Sequence, residues 1–126
     1  MKKLLYLFAS ILLLGCSSSD DNSTDPIKNS INPPKWIQGL WVGNAQSSYE
    51  FKSNDWCTLF LTTPICWKDS VDKANGQTTV TETITDNSYI MKLTGNGISQ
   101  TYTFEKISAT RIKATSQGSS QYYDKK

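Results

Sequence analysis

Thr78-Thr79-Val80-Thr81-Glu82-Thr83-Ile84-Thr85 is the stretch on which the fold turns, because threonine at 79, 81, 83 and 85 alternates with Val80, Glu82 and Ile84. A period of two puts a wet face and a drier face on one extended segment, as in a half-buried antiparallel strand. Downstream the pattern repeats. Asp86-Asn87 turns the chain into a strand from Tyr89 to Thr94, with Tyr89, Met91 and Leu93 inward. Gly95-Asn96-Gly97 makes a tight turn, and Ile98 to Glu105 follows with Ile98, Gln100, Tyr102 and Phe104 sharing one side. Two closing strands, Arg111 to Thr115 and Gln121 to Asp124, are split by Gln117-Gly118-Ser119.

Upstream, Asn75-Gly76 is a strong turn dipeptide. It ends a loop that begins near Thr63 and holds Pro64, Cys66, Trp67, Asp69 and Asp72. Before the loop, strands are expected from about Trp56 to Thr62 and from Tyr49 to Lys52. A first strand opens at Gly39-Leu40-Trp41 and runs towards Ala45, after a short helical turn near Pro33 to Ile37. Beyond that turn no helix is expected. Short strands joined in order by tight turns imply an all-β fold, a small antiparallel up-and-down β-barrel of about eight strands, since closure removes exposed edges. The barrel is expected over residues 35–126.

The N-terminal residues carry a different message. Lys2 and Lys3 precede an apolar run from Leu4 to Leu14, the layout of a secretory signal peptide. The run is shorter than the roughly 20 apolar residues a membrane span needs. Leu13-Leu14-Gly15-Cys16 resembles a lipobox, the signal of bacterial lipoproteins. That resemblance implies removal of residues 1–15 by cleavage between Gly15 and Cys16, and a diacylglycerol on the Cys16 thiol. It also implies an outer-membrane lipoprotein of a Gram-negative bacterium, held to the membrane through Cys16. Residues 16–34 are polar and proline-punctuated and read as a disordered tether. Its Ser19-Asp20-Asp21 element resembles the acidic tract that sends lipoproteins to the cell surface; the periplasmic face is the alternative.

Composition excludes several functions. Loss of the signal removes two of the 13 basic residues and leaves 11 against 11 acidic ones, so no general electrostatic case exists for nucleic acid. Histidine is absent, which removes the commonest general base and metal ligand and rules out histidine-dependent nucleophilic catalysis. No cofactor, metal site or catalytic set is expected, and the chain is read as a non-enzyme. Cys57 and Cys66 remain once Cys16 is lipidated, and in an exported protein they can form a disulfide. Two buried free thiols are the other arrangement.

Gly39-Leu40-Trp41, on a first strand after a short helical turn, resembles the Gly-x-Trp motif of lipocalins. The Trp36-to-Trp41 opening and the Tyr122-to-Lys126 ending are similar to those of small lipocalin-like lipoproteins. The resemblance implies structural roles for Gly39 and Trp41, with the tryptophan closing one barrel end beneath a late basic residue, for which Arg111 is the candidate. It also implies a small apolar or amphipathic ligand. The chain is much shorter than a full-length lipocalin, so its cavity is expected to be shallow.

Four residues are candidates for binding. Glu82 lies between Val80 and Ile84 on the drier face, where a charge must be paired, hydrated or protonated. It reads either as a lumen carboxylate that recognises a polar or cationic ligand together with Gln100, or as a rim position or a salt bridge to a nearby lysine. Trp56 and Trp67 sit in or beside the Cys57–Cys66 loop at one barrel end and could offer aromatic faces to a ligand; the remaining large side chains should fill the core. The expected function is ligand binding at one barrel mouth. The alternative is a protein-interaction module, a subunit or inhibitor, built on a filled barrel.

Overall fold

A computed structural model describes residues 30–44 and 46–126. The signal peptide 1–15, the Gly15–Cys16 cleavage site, the lipid-bearing Cys16 and the tether as far as residue 29 lie outside the described residues. Among the described residues nine strands form: β1 (Gly39–Val42), β2 (Ser47–Phe51), β3 (Trp56–Phe60), β4 (Thr63–Cys66), β5 (Thr78–Ile84), β6 (Ser88–Gly95), β7 (Ile98–Lys106), β8 (Arg111–Ser116) and β9 (Ser119–Lys125). One helix, α1 (Trp67–Lys73), joins β4 to β5.

All nine strands belong to one curled sheet in the order β4-β3-β2-β1-β9-β8-β7-β6-β5, and every neighbouring pair is antiparallel. The expected closed barrel of eight strands is therefore corrected to an open half-barrel of nine. The reason is parity. An antiparallel meander closes on itself only with an even number of strands, and with nine the two edge strands β4 and β5 point the same way. The extra strand is β4, which lies in the segment expected as a loop, and α1 is a helix where the pattern predicts none. Since β4 ends at one end of the sheet and β5 begins at the other, their connection must run along the open seam. α1 does so with about 10 Å of helix, burying Val71.

The alternation that suggested the strands also sets the core. Val80 faces Leu93, Tyr89 faces Phe104 and Ile112 faces Tyr123 in the strand ladders, and all six side chains are buried. Trp41, Trp56 and Met91 are buried with them. Phe51 and Phe104 meet edge-on at 4.9 Å between ring centres, and Trp56 lies edge-on to Phe104 at 5.3 Å, the geometry aromatic quadrupoles favour. The half-barrel is filled with rings through its middle and at one end.

That filled end is sealed by the segment before β1. Ile31 is 3% exposed and Ile37 fully buried, and the Trp36 indole N–H donates to the Thr85 carbonyl at 3.1 Å. The fold therefore starts by residue 31 rather than at 35, and the last residues of the expected tether belong to it. Ile31 is an apolar side chain in polar surroundings, and burying it fixes the chain around it. The opposite end, bounded by the turns at 61–62, 96–97 and 117–118, is the mouth.

Candidate functional site

Glu82 sits between the core and the sealed end. Its Oε1 accepts the Tyr89 hydroxyl at 2.6 Å and the Asn32 backbone N–H at 2.7 Å. Burial first, and this hydrogen bond second, hold the Tyr89 hydroxyl well above its ordinary titration range. Glu82 is thus a clamp that ties the entering chain to β5 and β6. It does not act with Gln100, whose amide bonds the Tyr102 hydroxyl at the mouth. This corrects the lumen-carboxylate reading of the pair: the strand parity was right, but the occupant of the site is the protein's own backbone.

Gly39 and Trp41 form the sealed end. The Trp41 indole donates to the Ile37 carbonyl at 2.6 Å, and the Lys125 ammonium lies 5.2 Å from the ring centre. Trp41 and Lys125 are direct cross-strand partners. Arg111, the sequence candidate for this role, instead makes a bidentate pair with Asp124 at 2.7 and 2.9 Å on the outside. The Arg111 hydrogen bonds pull the Asp124 carboxyl below its ordinary range. Gly39 has φ +124°, a backbone conformation that calls for glycine, and a Cβ there would lie 3.1 Å from the flexible Lys125 Cε.

Trp56 is fully buried, and its indole N–H points at Met91 Sδ at 3.1 Å. It is a core residue and offers no face to a ligand, because its β2 partner Phe51 and the facing Phe104 enclose it. Cys57 and Cys66 are joined by a disulfide across the β3–β4 ladder, where they are direct partners 4.0 Å apart at Cα. In the loop-entropy picture a bridge of this span contributes roughly 2 to 3 kcal/mol. Asp55 lies beside it, yet its Oδ1 is occupied by the backbone N–H groups of Trp56 and Lys68, each at 2.8 Å. The second of these satisfies an amide in the first turn of α1, which the N-cap residue Cys66 leaves without a side-chain cap. Sequence reasoning missed this role because donor and acceptor lie 13 positions apart.

The β3–β4 hairpin so pinned presents an exposed apolar surface. From Trp56 to Trp67, twelve residues carry no charge. At its tip Phe60 is 61% exposed, Leu61 60% and Ile65 53%. Ladder register puts Phe60 and Ile65 on the same face. Leu61 holds φ +59° in the turn, a conformation that favours glycine or asparagine and is costly for a bulky side chain. The uncharged run was visible in the sequence; its exposure was not, because β4 was not recognised as a strand.

Beside the hairpin, Trp67 opens α1. Its ring packs on Trp56 at 5.6 Å and Tyr102 at 5.3 Å. Its indole N–H is buried and has no acceptor among the described residues, an omission that costs about 1 to 3 kcal/mol. Trp67 and Gln100 both line a cleft of about 200 Å³ at the mouth, with Val71, Leu93 and Ile98 supplying apolar wall. A second cleft of about 190 Å³ lies near Tyr49, Gln121 and Tyr123, where burial raises the Tyr49 hydroxyl above its ordinary range. Neither is a deep chamber.

Comparison with protein-family models, curated proteins and solved structures found no match. Among the described residues no helix is long and apolar enough to cross a membrane.

Proposed function

We propose that this chain is a lipocalin-like outer-membrane lipoprotein, anchored through Cys16, that works as a non-enzymatic interaction module and presents the β3–β4 hairpin to a protein partner. The observation that carries the reading is the uncharged run from Trp56 to Trp67 with three large apolar side chains exposed at its tip. Scattered apolar residues need no explanation, but a patch on a rigid element marks a contact surface. Rigidity comes from the disulfide, and Leu61 is kept where the turn disfavours it, the kind of local strain found at functional sites. Pro64 on the edge strand lacks a backbone donor, which works against simple strand addition at β4. The partner is therefore one with an uncharged apolar pocket able to take Phe60 and Leu61. The filled middle of the half-barrel speaks against a lipocalin-style chamber as the main site.

The test places a photo-crosslinking residue at position 60 and, as a control, at the exposed Thr101 in the anchored protein on its host cells. The expected result is a discrete protein adduct from position 60 only, lost in Leu61→Asp. Equal adducts from both positions, or adducts to lipid alone, refute the reading.

A further inference from the structure

We infer that the partner of the β3–β4 hairpin is a second copy of this chain, each copy seating Phe60 and Leu61 in the other's cleft between α1 and the β6–β7 turn. The inference rests on the hairpin being a docking element and names what receives it. The first support is fit. An apolar cavity of about 150 Å³ accommodates benzene, so a cleft of about 200 Å³ has room for one phenyl ring and part of a neighbouring side chain. Val71, Leu93 and Ile98 give it an apolar wall, and none of its lining residues carries a charge. The cleft is shallow, whereas a site for a free small molecule buries most of its ligand. A ring arriving on a hairpin brings its own cover. Phe60 and Leu61 line no part of the cleft in the single chain and stand exposed, and the Cys57–Cys66 disulfide holds their hairpin in register.

The second support is placement. The hairpin turn at 61–62 and the β6–β7 turn at 96–97 both bound the mouth. Two copies meeting mouth to mouth about a two-fold axis therefore bury both tips at once, and the contact closes as a dimer. Placed at opposite ends of the molecule, the same knob and hole would build a filament. The third support is charge. Residues 59–65, 74–81, 93–101 and 114–123 include no aspartate, glutamate, lysine or arginine, and Lys73 at the end of α1 is paired with Asp69 at 2.7 Å. The opposite end carries Lys52, Asp86, Lys106, Arg111, Asp124 and Lys125. A two-fold contact sets a surface against its own copy, so a charge near the axis meets its like at a cost, whereas a foreign partner is selected by complementary charge. An uncharged mouth suits the self-contact.

The experiment places a benzophenone photo-crosslinking residue at position 60 of the full anchored chain on its host cells and maps the adduct by peptide sequencing. The expected adduct has twice the mass of the chain and joins position 60 to α1 or to residues 93–100 of the second copy. Leu61→Asp should remove it. Ser70→Lys adds a cation on the exposed wall of the cleft and should restore the adduct in the Leu61→Asp chain, a recovery that a merely unfolded hairpin would not show. Ile98→Asp, at a position 71% exposed, should remove the adduct without touching the hairpin. An adduct with a foreign protein alone overturns the inference and leaves the hairpin reading standing, whereas the absence of any protein adduct from position 60 removes both. A dimer adduct joined outside the cleft, or no recovery with Ser70→Lys, also overturns the inference.

Discussion

Replacing Ile31 by alanine tests whether the residues before β1 are tether or fold. Ile31 is 3% exposed and belongs to the main core cluster, and the next residue is tied to Glu82 through its backbone N–H. The substitution removes three carbons, worth about 2.4 kcal/mol at roughly 0.8 kcal/mol each. A cavity adds to that, so Ile31→Ala should cost about 2.5 to 4 kcal/mol, within the range of buried isoleucine truncations. For a domain of this size the urea midpoint should fall by roughly 2 M. The assay is urea unfolding of the soluble Cys16→Ser protein, read by tryptophan fluorescence and by far-ultraviolet circular dichroism. Residues in a solvated tether change stability by no more than about 0.5 kcal/mol on substitution. A midpoint unchanged within about 0.3 M would refute the placement of Ile31 in the core and return the start of the fold to residue 35.

Two further predictions follow from the geometry and a third from the proposed anchor. Tyr49, Tyr89 and Tyr102 are all raised above the ordinary tyrosine value of 10.0, chiefly by burial; the unfolded chain therefore loses these protons first, stability is intact below about pH 10 and falls as pH rises beyond it. Tyrosinate absorbance from these three should appear only together with loss of the fold, and ionisation of all three near pH 10.0 in folded protein would contradict their burial. Lys125→Met should shift Trp41 fluorescence and cost about 0.5 to 1 kcal/mol, the range of a cation–π contact, whereas Arg111→Ala should leave Trp41 emission unchanged; the reverse ranking would restore Arg111 as the closing residue. Cys16→Ser should release the protein from the membrane with its circular dichroism spectrum unchanged, and retention in the membrane fraction would speak against lipid anchoring at that cysteine.

Much of the architecture was legible because strand patterns are local. The threonine ladder of β5 and the inward sets of β6 and β7 each lie within a few residues of a recognisable turn, and side-chain period two assigns their faces without reference to the rest of the chain. Where β5 reaches the sheet end the pattern weakens: Ile84 is 47% exposed although its parity matches Val80. The segment from Thr63 to Asn75 was not legible. Thr63-Pro64-Ile65-Cys66 is too short and proline-marked to read as a strand alone, and it becomes one because β3 lies beside it with Cys57 opposite Cys66. The seven residues of α1 are too few for a stable isolated helix. α1 is held by packing of Val71 and by the distant carboxylate of Asp55.

The candidate site divides in the same way. Trp67 and Gln100 were marked by residue type, and the fold brings them to one cleft. Trp56 and Glu82 were marked by the same reasoning, and the fold uses one as core and the other as a clamp. A side chain's chemistry is written in its identity, but its availability depends on what else the fold brings against it. By itself the sequence determined an all-β chain, its strand faces, the absence of histidine chemistry and the cysteine pair able to bridge, because each follows from residue identity or short-range period. Only the tertiary structure decided that the sheet stays open, that Lys125 covers Trp41, that Ile31 belongs to the core and that an uncharged hairpin stands exposed. Strand count, seam and burial depend on contacts between residues tens of positions apart, and no local period encodes them.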